Sequence, residues 1–213
     1  WTPSLAYVVG LITTDGNISN DGRHLSLTSS DLQLLRTFKK CLNLKANITN
    51  NPSSNINQKR SYRIQFGNVQ LYNWLVKIGL CPNKTFKLKS LKIPKKVLRD
   101  FIRGHLDGDG SIITYVDRYL SYKNPKYVYQ RLMVYLMSAS KIHTEWLQSK
   151  IKENVQIHGA IQIKNFPKRE NPSYVLKFSK KESLVLLKWI YYQKDLPCLE
   201  RKYKIYKNYL FVL

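Results

Sequence analysis

The spacing of hydrophobic residues along the chain switches between the period of a helix and the alternation of a strand. The first segment has helical spacing, with apolar residues at Leu5, Val8, Val9 and Ile12. Thr2 is expected to cap this helix and Pro3 to occupy its first turn. Residues 24–29 then alternate as a strand. Residues 31–42 return to helical spacing, and Ser30 or Asp31 is the expected cap.

Two further strands and a third helix complete this pattern. Residues 45–50 and 60–66 alternate as strands, and the Asn- and Ser-rich loop 50–57 between them is predicted to be a hairpin tip. In the second strand Tyr62, Ile64 and Phe66 are expected to face the core. The next helix is indicated by Leu71, Trp74, Leu75 and Ile78. The chain then runs into a basic linker that contains two prolines.

The whole order of elements occurs twice. Segment 10–18 has a counterpart at 104–112, segment 27–30 at 136–139, and segment 61–66 at 173–178. The second copy carries extra residues in the Tyr- and Lys-rich stretch 115–129. We therefore predict an α+β fold made of two αββαββα repeats. The expected divisions are an N-terminal half at 1–80, a linker at 81–96 and a C-terminal half at 97–213.

Charge narrows the class of partner. Lys and Arg number 36 against 13 Asp and Glu, which gives a net charge of +23. Such an imbalance destabilises a compact protein by self-repulsion unless it binds a polyanion, and nucleic acid is the first candidate. The basic residues are spread over helices, strands and loops, which disfavours a membrane surface as the partner. The three cysteines are odd in number and far apart, and none forms a C-x-x-C pair that could hold zinc. We therefore expect reduced thiols in an intracellular protein, located in an organelle or a prokaryotic cytoplasm.

Each repeat ends its first helix with the same local sequence. A glycine inside a helix costs about 0.5–1 kcal/mol relative to alanine, and close packing of two helices would explain Gly10 and Gly104. Asp15 and Asp109 follow near the helix ends, where the dipole disfavours an acidic residue by roughly 0.3–1 kcal/mol. Gly16 comes directly after Asp15, and Gly110 after Asp109. These glycines are expected to end the two helices as C′ residues.

If the two helices pack through their glycines, Asp15 and Asp109 come together. Two buried carboxylates repel each other unless a proton or a cation lies between them, and a divalent ion that prefers oxygen ligands fits this place. Such ions activate water and stabilise the leaving oxygen of a phosphodiester. The alternative is that both residues only form turns beside glycines. A calcium loop of the EF-hand type is disfavoured, because its first and last positions would be His105 and Val116.

Segments 8–16 and 102–110 resemble two copies of the LAGLIDADG motif, and the surrounding repeats resemble the monomeric, two-motif LAGLIDADG homing endonucleases. The resemblance implies pseudo-twofold symmetry, with the two motif helices packed at the centre and a saddle of antiparallel strands on the DNA. It also implies magnesium-dependent cleavage that leaves 3′ overhangs. Two or three divalent ions are expected, and Mn²⁺ or Ca²⁺ is expected to substitute for binding.

The resemblance assigns the metal-binding and catalytic carboxylates to Asp15 and Asp109, and leaves any backbone ligand beside Asp15 unidentified. Asp107 occupies a variable acidic position of the motif and is given no metal role. Many family members carry a Lys or Gln at the end of the second strand. Here the residues at those places are Ser29, Ser30 and Ala139, so no basic group is evident near the acidic pair.

The outward positions of the strands are the candidates for reading bases, because Arg and Lys bind guanine and Asn and Gln bind adenine in the major groove. In the aligned last strand, Ser173, Val175 and Lys177 are expected to face outward. The alternative for any one of these positions is a merely solvated sheet face. The predicted DNA-binding residues are Lys45, Asn47, Thr49, Ser61, Arg63, Gln65, Tyr115, Arg131, His158, Gln162, Lys164 and Lys177.

The function predicted by the resemblance is therefore a site-specific endonuclease that acts as a monomer on double-stranded DNA. An intron-splicing maturase on the same fold, with intron RNA as the partner, is the first alternative. A DNA-binding regulator without catalysis is the second. The host intron or intein and the target sequence are not readable from the chain.

We predict a long, non-palindromic target, because the outward residues of the two halves differ. Arg63 stands where the second copy has Val175, and Gln65 where it has Lys177. Selection of cleaved sites from a random duplex library is expected to give two dissimilar half-sites. Recovery of a perfect palindrome would contradict this expectation.

Overall fold

The computed structural model describes residues 1–51, 60–167 and 170–211. The N-terminal half begins with helix α1 (Pro3–Thr14) and strands β1 (Gly16–Ile18) and β2 (His24–Ser29). Helix α2 (Leu32–Cys41), strands β3 (Ile48–Asn51) and β4 (Ser61–Gly67) and helix α3 (Val69–Lys77) follow. The caps follow the sequence signals, because Thr2 accepts a hydrogen bond from the Leu5 N–H and Asp31 accepts one from the Gln33 N–H.

The C-terminal half repeats this order after a short 3₁₀ turn (Lys95–Val97). It contains helix α4 (Leu98–Asp107), strands β5 (Ser111–Asp117) and β6 (Tyr129–Ser138) and helix α5 (Lys141–Val155). Strands β7 (Ala160–Lys164) and β8 (Ser173–Phe178) lead to helices α6 (Lys180–Ile190) and α7 (Glu200–Leu210). The predicted α+β class and the repeated αββαββα order are confirmed.

Each half has one four-stranded antiparallel sheet, and the two sheets have the same strand order. The first is β1-β2-β4-β3 and the second is β5-β6-β8-β7. The registers also match, because Thr28 pairs with Arg63 in the first sheet and Met137 pairs with Val175 in the second. The inner faces are apolar and buried, with Leu25, Leu27 and Ile64 in one sheet and Leu132, Val134, Leu136 and Leu176 in the other.

Three sequence expectations need correction or fall outside the described residues. Strand β3 begins at Ile48 rather than at residue 45, so the segment before it is irregular although its exposed and half-buried positions still alternate. Helix α7 has no counterpart among the described residues of the first half and was not expected. Most of the predicted hairpin tip lies outside the described residues, which resume at position 60.

Helices α1 and α4 pack directly against each other through their glycines. A methyl group on Gly10 would lie 2.7 Å from the amide nitrogen of His105 and closer still to the Phe101 carbonyl oxygen. One on Gly104 would lie 3.2 Å from the Cα of Gly10. The backbones therefore touch, as predicted, and a single core of buried side chains spans both halves.

Gly16 and Gly110 do not have the left-handed conformation of C′ glycines, which corrects the sequence expectation. Each is needed because the chain turns back sharply onto the last turn of its own helix. A methyl group on Gly16 would lie 2.5 Å from the Cα of Ile12, and one on Gly110 would lie 2.6 Å from the carbonyl oxygen of Leu106. No helix in the described part of the chain is long and apolar enough to span a membrane.

Gly10→Ala and Gly104→Ala are each expected to lower the free energy of unfolding by about 1–3 kcal/mol or more, because the added methyl group forces the two backbones apart. Equilibrium denaturation measures this change. Gly67→Ala is the matched control, since its methyl group meets only the side chains of Arg23 and His24, which are able to move. Equal stabilities of all three variants would contradict the proposed contact.

Candidate metal and nucleic-acid site

The packing of α1 against α4 brings Asp15 and Asp109 to one place between the two sheets. Asp15 is the C-cap of α1, and Asp109 lies two residues beyond the end of α4. A methyl group on Gly108 would lie 3.3 Å from the Oδ2 atom of Asp15, so the C-terminal ends of α1 and α4 are in contact here. Both aspartates are exposed, which corrects the expectation of two buried carboxylates and leaves them open to a ligand.

The pKa of Asp15 is raised to about 6, first because protein atoms crowd its carboxyl group and second because the Asp109 carboxylate is near. Asp15 thus remains open on one side while losing part of its hydration on the other. The positive charges of Lys202 and Lys84 lower this pKa and so partly offset the rise. Two acids and two bases therefore share one electrostatic environment at the helix ends.

Lys202 extends from α7 into the carbonyl groups at the end of α4. Its Nζ donates hydrogen bonds to the carbonyl oxygens of Leu106 at 2.6 Å, Asp107 at 2.8 Å, Gly108 at 3.2 Å and Gly110 at 2.6 Å. A cation at this end of a helix is stabilised by the dipole. Burial lowers the pKa of Lys202 to about 8, and the nearby carboxylates oppose that shift.

Lys84, in the linker, occupies the equivalent position at the end of α1. It is buried and donates a hydrogen bond from Nζ to the Gly16 carbonyl oxygen, just past the end of α1. Burial lowers its pKa, while Asp109 and Asp15 raise it. The strand ends carry no basic residue, as the sequence indicated, but the linker and α7 each supply one lysine near the acidic pair.

A sequence signal for Lys202 existed and was missed. Leu199, Lys202, Tyr206 and Tyr209 recur at helical spacing, and all four are buried. A lysine on the apolar face of an amphipathic helix needs a buried partner, and here the partners are carbonyl groups. Lys84 gave no such signal, because it lies in the irregular linker among many other basic residues.

Asp107 is buried and faces the core rather than the groove. Its Oδ2 accepts hydrogen bonds from the Tyr7 hydroxyl at 2.9 Å and from the Leu199 N–H at 2.7 Å. Burial raises its pKa to about 6. These contacts tie α4 to α1 and to the start of α7, and the absence of a metal role for Asp107 stays a prediction.

The serines at the ends of β2 and β6 carry no charge and direct the chain into the next helices. Ser29 accepts a hydrogen bond from the Asp31 N–H at 3.0 Å, and Ser138 accepts one from the Ser140 N–H at 3.1 Å. Ala139, Ser138 and Asp109 line a cleft of about 150 Å³ that Lys84 also borders. The described residues contain no group of three or more His, Cys, Asp or Glu side chains able to hold a metal ion.

Comparison with known proteins agrees with this arrangement. Residues 2–79 match the family model of the LAGLIDADG-like domain. This match covers the first repeat, from α1 to α3. No curated protein matches the chain.

Solved structures with the same fold cover nearly the whole chain. The I-LtrWI LAGLIDADG homing endonuclease bound to target DNA has a TM-score of 0.62 at 15% identity, over 99% of this chain and 89% of that one. The homing endonuclease I-WcaI bound to its DNA recognition sequence has a TM-score of 0.64 at 13% identity, over 96% and 87%. The N-terminal LAGLIDADG domain of DUF199/WhiA has a TM-score of 0.57 at 18% identity, over 93% and 86%.

In the first half, the residues predicted to read bases share the outer face of the sheet or its edge. Arg63 pairs with Thr28 and Thr49 in the register, and its Nη2 donates to the Ser26 hydroxyl at 3.2 Å. The exposed residues of the predicted set in this half are Lys45, Asn47, Thr49 and Gln65, and Ser61 and Arg63 are half-buried. Lys45 and Asn47 precede β3 and are not strand residues.

In the second half, the predicted residues are more scattered. Tyr115 is exposed on β5 opposite Arg131, which forms an ion pair with Asp117 at 2.8 Å. Gln162, Lys164 and Lys177 lie on β7 and β8, and His158 lies in the loop before β7. Ser173 and Val175 face outward in the register but are buried, which corrects their expected exposure.

Asp15→Asn is expected to stabilise the protein at pH 7 by about 1 kcal/mol, a value discounted because the residue is exposed. The folded-state pKa of about 6 exceeds the usual 3.8, so ionised Asp15 lowers stability above pH 6, and this cost disappears as the pH falls toward 4. Denaturation at pH 4 and pH 7 measures the difference from the wild type.

Asp21→Asn is the control with the opposite sign. Hydrogen bonds from the backbone and side chain of His24 and from the Arg23 N–H lower the pKa of Asp21 to about 2. Ionised Asp21 therefore adds stability at pH 7, and this contribution is lost as the pH falls through 2. If Asp15→Asn destabilised the protein at pH 7, the proposed carboxylate repulsion would be wrong.

Proposed function

We propose that this protein is a site-specific DNA endonuclease of the LAGLIDADG type that makes a staggered double-strand break with 3′ overhangs in a long, non-palindromic target. The observation that carries the proposal is the pair of exposed aspartates at the ends of α1 and α4. They lie between two sheets whose outer faces carry polar and basic side chains, and each helix end has its own buried lysine.

The residues present fit a divalent cation. Asp15 and Asp109 offer hard oxygen ligands. Crowding of the Asp15 carboxyl group raises its pKa first and the nearby Asp109 carboxylate second, and a cation bound here would relieve the repulsion between the two. We infer that these two residues hold two or three Mg²⁺ ions, with Mn²⁺ or Ca²⁺ able to replace Mg²⁺ for binding. The ions would supply Lewis-acid stabilisation of charge at the scissile phosphate.

The chain's own groups position and balance this charge. Lys202 and Lys84 fix the loops that follow α4 and α1 by binding their carbonyl groups, and so hold Asp109 and Asp15 in place. Their ammonium groups also lie close enough to the carboxylates to shift the Asp15 pKa. A phosphate bound near the acidic pair would therefore lie in the field of two buried ammonium groups, one at the end of each motif helix.

Double-stranded DNA is the proposed partner. The net charge of +23 requires a polyanion, and the two similar sheets offer one recognition surface for each half of a target. The similar structures of I-LtrWI and I-WcaI are of homing endonucleases bound to DNA, which supports this choice. Because one chain carries both motifs, we propose that it acts as a monomer.

Asp15→Asn and Asp109→Asn are each expected to lower Mg²⁺-dependent double-strand cleavage by at least about 100-fold, the cost of losing one preorganised electrostatic group. DNA binding measured in Ca²⁺ is expected to persist. Cleavage is measured on a duplex selected from a random library. Asp21→Asn, in the exposed turn between β1 and β2, removes the same charge and is expected to cleave normally.

Wild-type cleavage by either variant would contradict the proposed site. Sequence-specific binding in EDTA without cleavage on addition of Mg²⁺ would instead indicate a non-catalytic regulator. Rescue of intron splicing in vitro without DNA cleavage would indicate a maturase.

A further inference from the structure

We propose that the second sheet recognises its DNA half-site mainly through the 5-methyl groups of thymine, whereas the first sheet reads hydrogen-bonding groups. This inference rests on the proposed DNA binding and specifies its chemistry. It follows from a difference in chemistry between positions that the repeat makes equivalent.

The two outer faces differ at matched places of the same register. Ser26, paired with Gln65, corresponds to Tyr135, paired with Lys177. The pair Thr28 and Arg63 of the first sheet corresponds to Met137 and Val175 of the second. Ser19, which follows β1, corresponds in the repeat to Ile113 on β5. Gln65 and Lys177 are both polar. At the other four positions, a polar residue of the first half is replaced by an apolar or aromatic residue of the second half.

The apolar residues form one continuous patch on β5, β6 and β8. Ile113 pairs with Met133, and Tyr115 pairs with Arg131 one step further along. Ile113 and Tyr115 keep 44% and 46% of their surface exposed, so they are available for contact. A cleft of about 480 Å³ is lined by Ile113, Tyr135, Met137 and Val175 together with Asp109, Gln162 and Lys164. We call the apolar and aromatic residues of this face the β5–β8 patch; they are Ile113, Met133, Tyr135, Met137 and Val175.

The position of the patch specifies its occupant. Asp109 lines the same cleft, so whatever lies against the patch also lies against the proposed metal site. Lys164 borders the cleft and Lys177 pairs with Tyr135, which gives the patch a basic edge. A second copy of this chain carries a net charge of +23 and is repelled there, whereas a duplex is attracted.

In the major groove the thymine methyl is the apolar feature that a protein contacts. Ile113 on β5 and Met137 on β6 present methyl and methylene groups on the outer face, where Ser19 and Thr28 of the first half offer hydrogen bonds, and the buried Val175 completes the apolar lining of the cleft. The half-site bound by the second sheet is therefore expected to be rich in thymine on the contacted positions.

The test uses deoxyuridine, which lacks only the methyl group of thymine. A duplex selected by binding in Ca²⁺ is resynthesised with deoxyuridine in one half at a time, and Arg63→Ala assigns the half read by the first sheet. Each substitution in the other half is expected to weaken binding about fourfold, the value of one buried methylene-sized group. The same substitutions in the first half are expected to change binding little.

The double variant Ile113→Ser with Met137→Thr carries the residues of the matched positions in the first half. It is expected to bind deoxyuridine and thymine duplexes about equally. Val185→Ser, at a comparably exposed apolar residue on α6, is the control and is expected to keep the preference for thymine.

Equal deoxyuridine effects in the two halves, or a selected second half-site without thymine, would overturn the inference while leaving DNA binding intact. Absence of any sequence-selective duplex binding would overturn the proposed function as well. Self-association of the wild type that the double variant abolishes would show that the patch binds a second copy, and would also overturn the inference.

Discussion

The close contact between α1 and α4 is the constraint on which the rest of the structure depends. Gly10 and Gly104 bring the two backbones into direct contact, so the C-terminal ends of α1 and α4 lie side by side. The polypeptide turns away from each helix immediately after its end. The sharp turns at Gly16 and Gly110 then direct β1 and β5 into their sheets. One interhelical distance thus fixes both the position of the acidic pair and the spacing of the two sheets.

The same contact creates an electrostatic cost that two lysines offset. Carboxylates at the negative ends of two adjacent helices are disfavoured by the dipoles and by each other. Lys84 and Lys202 are buried against carbonyl groups at these helix ends, a position in which a lysine is itself destabilised unless it has partners. The site therefore combines residues that are each unfavourable alone and compatible only together, which is typical of functional rather than purely structural regions.

The sequence was sufficient for the repeated fold and for the proximity of the two aspartates, because local rules specify both, while their metal role stays a prediction. Leu5 to Ile12 have the period of a helix, and a helix-interior Gly10 followed by Asp15 appears again at Gly104 and Asp109. Lys84 depended on long-range geometry instead, since a basic residue among many gives no hint that it reaches a carbonyl group far away in the chain. Lys202 had a local signal in its place on the apolar face of α7, but that signal did not identify the carbonyl groups that it binds. The strand start at Ile48 and the burial of Val175 were likewise set by neighbouring strands rather than by local alternation.

The central claim is that Asp15 and Asp109 together bind the two or three divalent ions of a single site when DNA is bound. It is tested most directly by a crystal structure of the wild-type chain with its selected duplex and Mn²⁺, in which anomalous scattering locates the metal. The account predicts anomalous peaks within about 2.0–2.6 Å of carboxylate oxygens of both aspartates and of phosphate oxygens of the DNA. Metal peaks elsewhere, with Asp15 and Asp109 free of metal in a complex bound across both sheets, would contradict it.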